Sequence, residues 1–132
     1  VKRYMAPAYE QVVELFRNAG VSLIMVDCDG RVRDLLPIWL EAGMDGCHPC
    51  EIAAGSDPLV LRRRFPGCRL MGGLDKRKIA SGREGIDGEL ERIRPVLDQG
   101  GYIPMLDHFV PPDVSYDDYR YYLDRRRKLF ER

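Results

Sequence analysis

Apolar positions along this chain fall into two patterns. Short unbroken apolar runs stop abruptly at an acidic residue, and longer stretches between them carry an apolar residue every three or four positions. The first pattern predicts strands covered on both faces, the second amphipathic helices. Residues 7–19 are expected to be a helix with Val12, Phe16 and Ala19 on one face and Gly20 ending it. Residues 21–26 follow as a strand ending at Asp27-Cys28-Asp29-Gly30, and residues 32–42 as a helix closed by Gly43, with Pro37 tolerable only near its first turn. A short strand at 45–48 leads to Pro49-Cys50-Glu51. Asp57-Pro58 then supplies an N-cap and first helical residue for 59–65.

The unit repeats twice more. Residues 69–74 predict a strand ending at Asp75, and 83–97 a helix with Ile86, Leu90, Ile93 and Leu97 aligned and a kink or a late end at Pro95. Residues 102–106 predict a strand ending at Asp107-His108. Ser115 opens a last helix with an apolar stripe of Tyr116, Tyr119, Leu123 and Phe130. Four strands alternating with helices through short connections give an α/β fold with a parallel sheet, four units behind an initial helix. Four units are half of a TIM (β/α)8 barrel and leave two raw sheet edges. A missing half, a second copy of the chain or closure into a smaller twisted sheet would cover them.

In such sheets ligands bind where strands end, because the following loops and helix N-termini converge there. Asp27, Asp29, His48, Glu51, Asp75, Asp107 and His108 all fall at or just past a strand end, and these include both histidines of the chain. Asp27 and Asp29 alternate on a strand end and so point the same way, either to share a cation and split their titrations or to cap the next helix. Asp75, before Lys76 and Arg77, also fits a helix cap. Glu51 is placed to pair with a cation from ligand or loop.

The three motifs Met71-Gly-Gly-Leu-Asp75, Gly100-Gly-Tyr-Ile-Pro104 and Leu106-Asp-His-Phe-Val-Pro-Pro-Asp-Val-Ser115 resemble the C-terminal part of the uroporphyrinogen decarboxylase superfamily. The likeness covers nearly the whole chain. It implies the last four units of a (β/α)8 barrel, in a superfamily of cofactor-free decarboxylases and zinc-dependent methyltransferases that move methyl groups between corrinoids and thiols. Gly-Gly-Leu-Asp75 is similar to the decarboxylases' Gly-Asn-Leu-Asp, and Leu106-Asp-His108 to their Leu-Gly-His, whose histidine lies in the substrate pocket. The resemblance thus implies a substrate-facing role for His108.

Two departures narrow the expectation. Where the methyltransferases carry His-x-Cys and a later cysteine as zinc ligands, this chain has Asp27-Cys28-Asp29 and Asp107-His108. A thiolate zinc site is not expected, although two carboxylates and an imidazole suit a harder divalent metal. The arginine-rich segment that grips porphyrinogen carboxylates would lie outside this chain, which points to a divergent branch with another substrate.

Composition fits this picture. Hydrophobic residues make up 45% and charged residues 32% of the 132 residues, as in an ordinary globular domain. Lys and Arg total 21 against 21 Asp and Glu, so no basic field draws the chain to nucleic acid. The runs at Arg62 to Arg64 and Arg125 to Lys128 fall late in expected helices, where cations complement the dipole. No apolar run approaches the ~20 residues of a membrane span. The four cysteines read as reduced thiols of a cytoplasmic protein. Cys47-His48-Pro49-Cys50 has the Cys-x-Pro-Cys pattern of thiol-disulfide exchange, and Ile103-Pro104 fits the proline loop of that class. However, Asp57-Pro58 puts the helix start too far downstream. With Cys28 or Cys68 the same stretch would also offer zinc ligands.

The sequence therefore predicts one domain over residues 1–132, a half-barrel fragment of a longer enzyme. The expected chemistry is decarboxylation or methyl transfer on an anionic organic substrate. His108, Asp27 and Asp29 are the expected catalytic residues, and Glu51, Asp75, Asp107 and His48 the substrate-binding ones. Decarboxylation needs no cofactor. Methyl transfer would bring zinc or another divalent metal and a corrinoid protein as partner, and a homodimer would complete the barrel. The competing expectations are a thiol-disulfide redox protein using Cys47 and Cys50, and a non-catalytic half-barrel.

Overall fold

The structure, a computed structural model, describes residues 2–131, so the two terminal positions of the expected domain lie outside the described residues. It is a mixed α/β fold built on a four-stranded, all-parallel sheet in the order β1-β2-β3-β4. The strands are β1 (Met25–Asp27), β2 (Gly46–Cys50), β3 (Arg69–Gly72) and β4 (Tyr102–Ile103). An isolated bridge from Leu74 to Leu106 prolongs the last pair. The helices are α1 (Lys2–Asn18), α2 (Leu36–Glu41), α3 (Pro58–Arg64), α4 (Lys76–Ile79), α5 (Arg83–Arg92), α6 (Arg94–Leu97) and α7 (Tyr116–Lys128). No helix among the described residues is long and apolar enough to cross a membrane.

Successive residues of a strand face opposite sides of a sheet. One row across this sheet is Val26, Cys47, Leu70 and Tyr102. Its last three members are buried, and they join the core formed by Leu36, Leu61, Ile86, Leu90, Ile93 and Tyr122. In the next row Asp27 pairs with His48 and Met71 with Ile103, and none of the four is buried; Ile103 is 51% exposed. The sheet thus has a closed face toward the helices and an open one.

Several expected elements shift, each for a local reason. Residues 21–24 do not pair as strand: Val21 and Leu23 are exposed, and the Arg17 guanidinium takes the carbonyls of Val21 and Ser22 at 3.1 and 2.8 Å. The α1 stripe expected at Val12 and Phe16 is exposed, and Val13 is the residue that reaches the core. The helix expected at 32–42 opens with a 3-10 turn, Val32–Asp34, and Pro37 falls in the first turn of α2, where its missing N–H has no partner to lose. The expected long helix at 83–97 divides at Ile93 into α5 and α6, so that Pro95 stands at the start of a new turn. On α7 and the turn that follows it, Tyr116 and Phe130 are exposed, and Tyr122 and the C-cap Leu129 are buried instead. The caps at Asp57 and Ser115 form as expected, accepting from the backbone N–H of Leu59 and Asp118.

Candidate functional site

The two histidines come together at the C-terminal end of the sheet. A cleft of ≈ 290 Å³ opens there between the ends of β1 and β2 on one side and the segment after β4 on the other. Its polar lining is Asp27, Asp29, His48 and His108; its apolar lining is Pro49, Met105, Leu106 and Phe109. Asp27 and His48 are register partners on β1 and β2, so the first aspartate and the first histidine stand side by side on the open face.

A bulge in β2 shapes this wall. Cys47 pairs with Leu70 and Cys50 with Gly72, so β2 spends one residue more than β3 between these two pairings. An extra residue re-aims the side chains around it. Here Cys47 and Cys50, three apart, are both fully buried, while His48 and the cis-linked Pro49 between them line the cleft. The facing turn needs glycines. Gly72 and Gly73 have φ of 100° and 82°, and a Cβ on Gly72 would stand 2.7 Å from the Cys50 nitrogen. The Gly-Gly of the Met71 to Asp75 motif therefore lets β3 turn away tightly beside the bulge.

Among the described residues, neither carboxylate of Asp27 and Asp29 nor any ring nitrogen of His48 and His108 has a hydrogen-bond or ion-pair partner. The His108 ring packs against Phe109, edge to face at 4.8 Å between centroids. Phe109 itself is 83% exposed. Four unpaired polar groups around one partly apolar cleft can accept N–H donors, pair with a cationic centre or exchange protons with a bound molecule.

The remaining expected site residues form a separate, saturated cluster. Asp75 caps α4: its carboxylate accepts from the Arg77 backbone at 3.0 Å and from the Arg77 guanidinium at 2.8 and 2.6 Å. The hydrogen bonds from Arg77 hold its carboxyl below the usual carboxylate range against the opposing effect of burial. Asp107, 1% exposed, accepts from the backbone N–H of Ile52 at 3.1 Å and of Lys76 at 3.0 Å. Glu51 accepts from Lys76 Nζ at 3.1 Å. Lys76, half-buried between Glu51 and Asp107, is a member of this cluster that sequence reading missed; its only signal was a lysine directly after a strand-end aspartate. Glu89 and Arg92 extend the network below, with Glu89 accepting from Asp75 N and Arg92 bonding Glu89, Asp57 and the Gly73 carbonyl. None of these residues lines the cleft.

The thiols lie elsewhere. Cys47, Cys50 and Cys68 are buried and unpaired by disulfides. Hydrogen bonding with Cys50, together with burial, pushes the Cys47 thiol up, and hydrogen bonding with Cys47, again with burial, does the same for Cys68. Thiol exchange requires an accessible thiolate. Among the described residues no three His, Cys, Asp or Glu side chains converge in a metal-binding group. A larger groove, ≈ 470 Å³ beside α4 and α5, is lined by Lys78, Glu84, Gly85 and Glu89, and Glu89 is already committed to Asp75 and Arg92.

Compared with known proteins, the chain matches no family model, no curated protein and no solved structure.

Proposed function

We propose that this chain is a uroporphyrinogen decarboxylase-like half-barrel whose cleft acts on an anionic organic substrate, by decarboxylation in preference to methyl transfer. The observation that carries the reading is the cleft itself: two imidazoles and two carboxylates without polar partners among the described residues, at the C-terminal end of a parallel sheet. The sheet order supports the half-barrel. Each strand lies beside its predecessor with no reversal, which is the progression of a (β/α)8 barrel, and the open face would become the barrel interior. Four further units, from a longer chain or a second copy, would close it.

In the proposed reaction the substrate's C–C bond breaks and its electron pair stays on carbon as CO2 leaves. A proton then replaces the CO2. His108 donates a hydrogen bond to the departing carboxylate or supplies that proton, the roles open to an imidazole acting as a general acid. Asp27 and Asp29 stabilise positive charge on the protonated intermediate. His48 and the apolar wall of Met105, Leu106 and Phe109 orient the rest of the molecule. Methyl transfer would call for a thiolate-bound zinc and a corrinoid partner, and three of the four cysteines are buried away from the cleft. Thiol-disulfide exchange through Cys47 and Cys50 is disfavoured for the same reason.

The test is CO2 release from a panel of aromatic and heteroaromatic carboxylic acids by the complete natural polypeptide. His108→Ala is expected to lower turnover by about 10²–10⁴-fold with unchanged far-ultraviolet circular dichroism. Release that survives this substitution undiminished would reject the assignment.

A further inference from the structure

We propose that Asp107, which the sequence marks as a substrate contact, is instead the positioning residue of the cleft: its buried carboxylate sets the place of His108 against the wall carrying His48. The inference rests on the cleft being the functional site. Its geometry stands on three strand ends at once. One carboxylate oxygen accepts from Ile52 N at 3.1 Å, just past β2. The other accepts from Lys76 N at 3.0 Å, just past β3, and lies 3.8 Å from Lys76 Nζ. The backbone closes the same node, with Asp107 N donating to the Leu74 carbonyl at 2.9 Å and Leu74 N to the Met105 carbonyl at 3.1 Å.

The tied segments are the ones that carry the cleft. Ile52 follows His48 and Pro49 along the β2 end, and His108 follows Asp107 directly. His108 has no polar partner of its own among the described residues, and its aromatic neighbour, Phe109, is itself exposed. With no polar partner to hold it, the ring depends for its place on the backbone from which it projects. The Asp107 carboxylate therefore acts on the chemistry through His108, without reaching a ligand, because it is 1% exposed and both its oxygens are engaged. A displacement of about 1 Å at a reacting group lowers rates by about 10²-fold.

The experiment compares Asp107→Asn with Asp57→Asn. Asn at 107 keeps the shape but turns one acceptor into a donor facing a backbone N–H. Asp57 is a capping carboxylate of similar kind, bonded to Leu59 N at 2.8 Å and paired with Arg92, away from the cleft. The chain has two histidines, so its imidazole NMR spectrum contains two ring systems that one substitution assigns. Benzoate serves as the carboxylate probe. Asp107→Asn is expected to move the His108 ring signals and weaken benzoate binding by about tenfold or more, and Asp57→Asn to change neither. His108 signals that stay in place in Asp107→Asn, or move equally in both variants, overturn the positioning role. Should the wild-type protein fail to bind benzoate while Asp107→Asn still displaces the His108 ring, the reading of the cleft as a carboxylate site fails and the positioning role stands.

Discussion

Two groups of residues share one end of the sheet and one sequence signature, a polar side chain just past a strand, yet the fold treats them in opposite ways. Around the cleft, Asp27, Asp29, His48 and His108 are left without polar partners among the described residues. Alongside, Glu51, Asp75, Lys76 and Asp107 are saturated by one another, by Arg77 and by backbone N–H groups. Saturated polar groups hold a structure together, because leaving them unpaired in a buried place is unfavourable. Unpaired ones at a cleft are available to a ligand. The comparison separates scaffold from candidate chemistry at positions that the sequence alone cannot tell apart.

The sharpest way to break this comparison is to exchange the two kinds of effect. His108→Ala should lower turnover by about 10²–10⁴-fold and change stability by no more than about 0.5 kcal/mol. Steady-state kinetics and urea unfolding measure the two quantities, and a large loss of stability would move His108 into the scaffold. Asp107→Ala should do the reverse at equilibrium, leaving the N–H groups of Ile52 and Lys76 without acceptors at a cost of about 2–4 kcal/mol in urea unfolding. A change below about 1 kcal/mol would mean that water replaces the carboxylate.

Smaller effects sharpen the boundary. Asp75→Asn keeps a capping oxygen and removes the charge, and because Arg77 is largely exposed the loss should be below about 1 kcal/mol at neutral pH. Its pH dependence has a definite sign. The folded-state pKa is depressed, so the carboxylate's contribution is complete above its unfolded value of about 3.9 and disappears as pH falls through the lower folded value. The stability gap between wild type and Asp75→Asn should therefore shrink on acidification below about pH 4; a gap that is independent of pH would show that the charge contributes nothing. Asp27→Asn and Asp29→Asn should shift stability least, within about 0.5 kcal/mol, since neither carboxylate has a partner to lose among the described residues.

Much of the element order was legible in the sequence. The caps at Asp57 and Ser115, the break near Pro95 and the parallel β/α alternation follow from local rules that operate within a few residues. The helix faces were less legible. Val12, Phe16, Tyr116 and Phe130 have helical spacing, but the structure buries Val13, Tyr122 and Leu129 instead, because a stripe of apolar residues does not state which neighbour it will meet. The β2 bulge also had no local signature beyond Pro49. Without it, strict alternation would place Cys47 and Pro49 on one face and His48 and Cys50 on the other.

By itself, the sequence determined the class of fold and the end of the sheet where the polar residues gather, since apolar runs ending in polar residues depend only on the local chain and on the direction of parallel strands. Only the tertiary structure decided which of those polar residues pair with one another and which stay free. Asp107 and His108 are adjacent in the chain, yet one is buried under Ile52 and Lys76 and the other faces the cleft. Those partners come from segments 55 and 31 residues away, a separation that no local pattern encodes.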